Sequence, residues 1–345
     1  MEILEIMNTI HDNASQRYQD RIPVATRENL DEIRAEMLSD DNVVIVNEFM
    51  STFLNKIAKY HLISKMFTNP LKSLKKGTKP LGDTVEEVYN NFLKGSEFDP
   101  TGANLLQRHL PDTKVVYHRK NYDHQYAVTV DRKTLRKAFA SYENLDSYLT
   151  NIVQSLYNSA ELDEFANMKQ ILKSALDNNA MKKVTIADPI TSKTNGEKFI
   201  KNVKTVSGLM RFPSSDWNSY TDVQSTDNKP VITFSRPNEQ VLIIDTATDT
   251  SVSVDVLANT FNMSVADFND TRKIVIDIFP DKNTRAVLID EQFMQVFDDF
   301  YTVTSFDNPK GIYQNYYLTV EQTLAYSILV NAVAFVVADS SAAQS

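Results

Sequence analysis

Between Ser141 and Asn178 apolar side chains return every three or four residues: Leu145, Tyr148, Leu149, Ile152, Leu156 and Tyr157, then Leu162, Phe165, Met168, Leu172 and Leu176. That spacing predicts one apolar helix face, with Asp146, Glu161, Asp163, Glu164 and Lys169 on the wet side. No Gly or Pro interrupts the chain from Asp112 to Asp188. A single helix of about 34 residues, about 50 Å long, is therefore locally allowed. The stripe shifts phase near Ala160, and it covers too few heptads for a coiled coil. A two-helix hairpin is the alternative; one long helix lying across a larger body is the expectation.

Elsewhere the pattern is mixed. Residues 1–63 read as amphipathic helices broken at Gln19–Pro23, with helical stretches over Arg27–Met37 and Val43–Phe67. Asn69–Gly102 is a compositional break, holding Gly77, Gly82, Gly95 and Gly102 with Pro70, Pro80 and Pro100. It opens basic, at Lys72, Lys75, Lys76 and Lys79, and turns acidic at Glu86, Glu87, Glu97 and Asp99. Backbone that must turn or extend collects Gly and Pro. The retained Leu71, Leu74, Leu81, Val85, Val88 and Phe92 argue against a plain linker, so a long projecting loop of hairpin character is expected. Val115–Asp131 then alternates like a strand. Val241–Asp245, Lys273–Asp277 and Arg285–Asp290 are apolar runs of buried strands, with short helices expected at Ser253–Phe261 and Glu291–Phe300. This alternation predicts a sheet flanked by helices. Gly311–Val337 supplies two further strand-like runs.

Composition narrows the class. The chain has 345 residues, 42% hydrophobic and 23% charged, enough for two domains or one elaborated domain. Without cysteine there is no disulfide framework and no thiolate metal site. A net charge of −9 argues against a protein that grips a phosphate backbone as its main task. No basic segment followed by an apolar run opens the chain, so no signal peptide is expected. Leu324–Ala338 is shorter than a bilayer requires and reads as buried strand, so no membrane partner is expected.

Candidate chemistry fails on its own mechanics. Gly77–Thr84 has phosphate-loop spacing, but Asp83 stands where a lysine must meet phosphate and Pro80 removes a backbone donor. His118 and His124, taken on one straight strand, would lie about 20 Å apart, too far for one metal. There is no nucleophile elbow and no paired-histidine metalloprotease motif. Carboxylate neighbours such as Asp163–Glu164, Asp290–Glu291 and Asp298–Asp299 are not forced into an acid–base pair by spacing. The expectation is no enzyme, no cofactor and no metal.

Six collinear segments nonetheless form a pattern. They are Asn69–Tyr89, Asn158–Phe165 with Met168–Lys169, Asp216–Ser219, Val254–Met263, Asn308–Tyr313 with Asn315–Tyr317, and Asn331–Val336. Together they resemble the major capsid proteins of phi-twenty-nine-like short-tailed phages, which have the Hong Kong ninety-seven capsid fold.

The resemblance implies an α+β chain divided into an N-terminal arm (1–63), an extended E-loop (64–126), a P-domain with the spine helix (127–180), a mixed α/β A-domain (181–300) and C-terminal strands returning to the P-domain (301–345). It implies self-assembly into the hexamers and pentamers of an icosahedral head around double-stranded DNA. A scaffolding protein and a portal are the implied partners, with packaged DNA in non-specific proximity. The implied location is the virion, after synthesis in the host cytoplasm. The family's best-known member carries an extra immunoglobulin-like domain; this chain stops at Ser345, so decoration by such a domain is not implied.

The subunit-contact candidates lie in the E-loop: Lys72, Lys75, Lys76, Gly77, Lys79, Pro80 and Gly82. The four lysines are expected to meet acidic surface on a neighbour, and the negative total charge suits a wall along which DNA slides. A loop folded wholly back onto its own body would contradict the reaching role. Two alternatives are an encapsulin-like shell holding protein cargo and an α/β enzyme with an unrecognised site.

Overall fold

The computed structural model describes residues 3–39, 42–53, 67–79, 84–98, 100, 106–131, 134, 148, 151–152, 154–224, 229–252 and 272–338. The chain divides into two compact units, one formed by Met1–Asn69, Asn121–Phe165 and Asp298–Gln322, the other by Pro70–Lys120, Ala166–Phe297 and Thr323–Ser345.

The first unit opens with four helices, α1 (Ile3–Asn13), α2 (Gln16–Arg21), α3 (Leu30–Leu38) and α4 (Val43–Thr52). The first break falls at Ala14–Ser15, where Ser15 caps α2 by accepting from the Tyr18 amide. Gln19, Asp20 and Arg21, expected in the loop, belong to α2, and the second break begins at Ile22. Asn8 bridges back to Ala25, donating at 3.0 Å and accepting at 2.7 Å. The apolar faces bury Ile6, Ile10, Tyr18, Ile33, Met37, Ile45, Phe49 and Phe53. The continuation of the Val43–Phe67 helix lies largely outside the described residues.

This unit also holds most of a three-stranded sheet, whose residues Met294–Phe297 and Thr323–Tyr326 fall in the second unit. Its order is β3 (Tyr122–Asp131), β9 (Tyr313–Tyr326), β8 (Met294–Asn308). β3 and β9 pair antiparallel from Tyr122↔Gln322 to Asp131↔Tyr313. The helix expected at Glu291–Phe300 is strand β8 from Met294 onward. Val296, Phe297, Phe300, Tyr301 and Val303 suit a pleated surface, and pairing along β9 outweighs the weak local helical spacing.

The long helix is described from Gln154, as a π-helical turn over Gln154–Asn158 followed by α5 (Ser159–Asp177). Its expected first turns lie largely outside the described residues. The wider π turn explains the phase shift seen in the sequence: it retards the face by about one residue's rotation. Ala160 and Glu164 turn inward as a result, and Leu162, expected inside, is 50% exposed. Burying Glu164 is tolerable because Asn69 Nδ2 (3.1 Å) and Gln322 Nε2 (2.7 Å) each donate to one of its oxygens.

The second unit is built on a five-stranded mixed sheet in the order β4 (Lys182–Ile186), β10 (Ala332–Val337), β7 (Thr284–Asp290), β5 (Gln240–Asp245), β6 (Arg272–Ile276). The two outer pairings are parallel and the two inner ones antiparallel. Every residue of β5 is buried, which accounts for its uninterrupted apolar run. Helix α6 (Lys193–Leu209), capped by Ser192, lays Phe199, Ile200, Val203 and Val206 onto this sheet among Leu242, Ile244, Leu288 and Phe335. The expected helix at Ser253–Phe261 lies outside the described residues. Leu324–Ala338 is the end of β9 and the whole of β10, divided by Ser327–Asn331. Among the described residues no helix is long and apolar enough to cross a membrane.

Arg285 of β7 clamps Asp188 in a bidentate pair at 3.2 and 2.8 Å. Burial works to raise the Asp188 carboxyl, but hydrogen bonds from Arg285 and the Ile190 amide, with the Arg285 charge, hold it below the usual range. A carboxyl depressed in the folded state stabilises fully above its unfolded value of about 3.9, and that stabilisation is lost as pH falls through the lower folded value. Urea midpoints should therefore drop with acid below about pH 4 in the natural chain, and this component should be missing in Arg285→Met. Identical acid profiles would refute it.

Candidate assembly surface and family

The Gly/Pro-rich segment forms an antiparallel hairpin, β1 (Thr84–Asn90) with β2 (Thr113–Arg119), in register from Thr84↔Arg119 to Asn90↔Thr113. The strand expected over Val115–Asp131 is two strands, interrupted at Lys120–Asn121. His118 and His124 are therefore on different strands. His118 meets Glu87 at 3.1 Å, and His124 stacks on Tyr122 with centroids 4.1 Å apart.

The approach to the hairpin is pinned to its own unit. Pro70–Leu74 is a 3₁₀ turn with Leu71 and Leu74 buried. The Lys76 amide donates to the Val296 carbonyl at 2.9 Å. Its ammonium donates to the Glu291 carbonyl and to Gln292 Oε1, each at 2.9 Å. Burial lowers the Lys76 pKa against the opposing pull of Glu291, Asp290 and Glu87. Lys76 thus engages its own chain, unlike the neighbour contact expected of it. Lys72 is exposed, Lys75 and Lys79 are half-buried, and all three have partners of their own. Gly77 is exposed with φ +88°, and an added Cβ would meet nothing within 4 Å. Its conformation, rather than space, calls for glycine. Pro80 and Gly82 lie outside the described residues.

The opposite end of the ladder, where β1 runs into the connection to β2, is held as firmly. Tyr89 donates its hydroxyl to the Ile232 carbonyl at 2.5 Å. Asn91 donates to the Pro230 carbonyl (2.9 Å) and to Asp112 (2.8 Å), and accepts from the Ile232 amide (3.0 Å). Hydrogen bonds from Asn91 and Lys114 hold the Asp112 carboxyl below its usual range. The Lys114 ammonium also lies 5.3 Å from the centre of the Tyr220 ring. Phe92 stacks on Phe234 at 6.5 Å, and Ser327 donates to Glu87 at 2.5 Å. The segment is therefore not a free arm from its root. Asn91→Ala removes three hydrogen bonds and leaves the Ile232 amide without its acceptor. A loss of about 1–3 kcal/mol is expected, with faster amide exchange across β1 and β2. Unchanged exchange would rule out Asn91 as the anchor.

Beyond the anchor the character reverses. Leu93 is 79% exposed, Phe98 90%, Leu106 93% and Leu110 82%. Four large apolar side chains stand in water on the connection between β1 and β2, and each is suited to burial on another surface. Sequence reasoning had marked the charged lysines and missed these; the available signal was Leu and Phe persisting inside a turn-rich segment. Among the described residues no group of three or more His, Cys, Asp or Glu is arranged to hold a metal.

Comparison with known proteins gives one answer. Residues 7–336 match the model of the Phi29-like phage major capsid protein family. The chain is 33% identical over 344 residues to the major capsid protein of Bacillus phage PZA, covering 98% of this chain and 74% of that protein. It is 25% identical over 346 residues to that of Streptococcus phage Cp-1, covering 95% and 92%. A chain of the capsid structure of Staphylococcus phage Andhra superposes with a TM-score of 0.64 at 14% identity, covering 82% of this chain and 88% of that one. The fold is the α+β capsid fold of tailed phages. With a family model spanning almost its entire length, the chain belongs to the Phi29-like phage major capsid protein family.

Proposed function

We propose that this chain is the repeating subunit of an icosahedral phage head, and that the β1–β2 hairpin reaches a neighbouring copy through its apolar tip. The observation that carries the reading is a contrast within one hairpin: a ladder anchored up to Tyr89 and Asn91, and four large exposed side chains on the connection beyond them. Burying each of these is worth about 1.5–3 kcal/mol before ordering costs, whereas an exposed ion pair contributes about 0–1 kcal/mol. The tip therefore carries most of the contact, and Lys72, Lys75 and Lys79 tune it. Closure of a shell multiplies modest contacts, since each copy is held by several neighbours at once.

In this reading residues 1–63 act as the N-terminal arm, 64–126 as the E-loop, 127–180 as the spine-bearing P-domain and 181–300 as the A-domain, with 301–345 completing the P-domain. A scaffolding protein and a portal take part in assembly, and the finished head lies around DNA. The subunit works by packing and carries out no bond-making step. An encapsulin-like compartment is disfavoured by the family match. Electron microscopy of particles from cells expressing the chain with its phage's scaffolding protein tests the reading: closed heads are expected. Particles that only ever enclose protein cargo, or a chain that remains monomeric, would overturn it. Changing Lys72, Lys75, Lys76 and Lys79 together to Ala should lower the salt sensitivity of head yield, and an unchanged yield and salt response would remove the lysines from the contact.

A further inference from the structure

Charge is not spread evenly over this acidic chain. Helix α6 carries Lys193, Lys198, Lys201 and Lys204 against a single acid, Glu197, so it is net +3 in a chain that is −9 overall. At about 100° per residue Lys193, Lys201 and Lys204 fall within about 80° of arc that also holds Glu197, with Lys198 about 60° further round. The opposite side of the helix is the one buried on the sheet through Phe199, Ile200, Val203 and Val206. Lys193, Lys198 and Lys201 are exposed, Lys204 is half-buried, and exposed Arg211 follows the helix end. The lysines run along about 16 Å of helix.

We infer that the outward face of α6 is a docking stripe for the phosphate backbone of double-stranded DNA. The side-chain chemistry selects this occupant. Lysine offers a compact, hydrated point charge on a flexible stem, suited to phosphate and indifferent to geometry. The helix has no Arg, Tyr or Trp, the residues that anchor protein–protein contacts, and lysine is depleted from such interfaces. Nor does the stripe present an Arg fork or an aromatic surface with which to read or stack on bases. A duplex stretch of about 16 Å presents about ten phosphates, more than the stripe needs.

The grip is graded by salt. Three phosphate contacts, from the exposed Lys193, Lys198 and Lys201, make the log–log slope of affinity against salt about −2.7, about a fortyfold loss between about 50 and 200 mM. At cellular salt such a stripe binds DNA without immobilising it. The overall charge of −9, which argued against phosphate binding in the sequence, is an average that this helix escapes.

The inference rests on the head-forming function proposed above, and its test separates the two. Binding of the full-length chain to a short random-sequence DNA duplex is followed by fluorescence anisotropy across a salt series. Lys193→Gln, Lys198→Gln, Lys201→Gln and Lys204→Gln are combined in one variant. A control variant changes four exposed lysines elsewhere, Lys94, Lys183, Lys282 and Lys310, to Gln. The α6 variant is expected to bind with a slope shallower by about 2–3, and the control by less than about 1. An unchanged slope, equal losses in both variants, or binding of polyglutamate in preference to the duplex would each overturn the proposal. Head formation by the same variants, scored by electron microscopy, reports on the assembly reading alone.

Discussion

Changing Phe98 and Leu106 together to Asp is expected to abolish head formation while leaving the subunit folded. Both side chains are almost fully in water on their own chain, at 90% and 93% exposure, so the isolated subunit has little packing to lose. Surface substitutions of that kind usually move stability by no more than about 0.5 kcal/mol. In a shell the same positions are expected to be covered. The double change then forfeits about 3–6 kcal/mol of apolar burial per copy and introduces two carboxylates that must be desolvated. The deficit recurs at every copy, so closure should fail outright. Sedimentation and electron microscopy should show no heads, while the thermal midpoint and circular dichroism of the subunit match the natural chain. Heads at normal yield would mean the tip touches nothing that matters, and the hairpin proposal would fall.

Phe335→Ala should act at the opposite end of the pathway, by unfolding the subunit. Phe335 on β10 is fully buried and meets Phe199 of α6 edge-on, with centroids 5.8 Å apart and planes at 82°. It belongs to the cluster that joins the sheet to α6. Truncating a buried Phe removes its transfer free energy and leaves a cavity, together about 3–5 kcal/mol. That is a large share of the total stability of about 5–15 kcal/mol typical of a domain, so soluble yield should collapse. Phe306→Ala, at a side chain 67% exposed, is the matched control and should be nearly silent. Equilibrium denaturation in urea distinguishes the two. A cost below about 1 kcal/mol at Phe335 would show that the α6–sheet core is not what holds this unit together.

These two sites also mark how much the primary structure discloses. Val241–Asp245, Arg285–Asp290 and Ala332–Val337 read as buried strands because both faces of a covered sheet demand apolar residues, and that demand is written locally. The slip in the apolar stripe near Ala160 was likewise visible, and a π turn at Gln154–Asn158 is its cause. Local spacing puts Glu164 on the wet face because its partners Asn69 and Gln322 lie 95 and 158 residues away, beyond any local pattern. The stretch Glu291–Phe300 reads locally as a helix for the same reason, since the identity of β8 is decided by the neighbour it pairs with.

For the assembly surface the division is similar. Gly and Pro marked where the hairpin lies, and the lysines there drew attention because charge is conspicuous in a sequence. Its anchorage through Tyr89 and Asn91 depends on carbonyls and amides near residue 231, about 140 positions on, which only the folded chain brings alongside. By itself the sequence determined membership of the family, the placement of the buried strands and the turn-rich segment, because local pattern and collinear resemblance suffice for those. Which side chains the hairpin keeps in water, which lysine is drawn inward, and which face of α6 points away from the core were decided only by tertiary structure. Exposure is a property of what packs against a residue, and no residue carries that information alone.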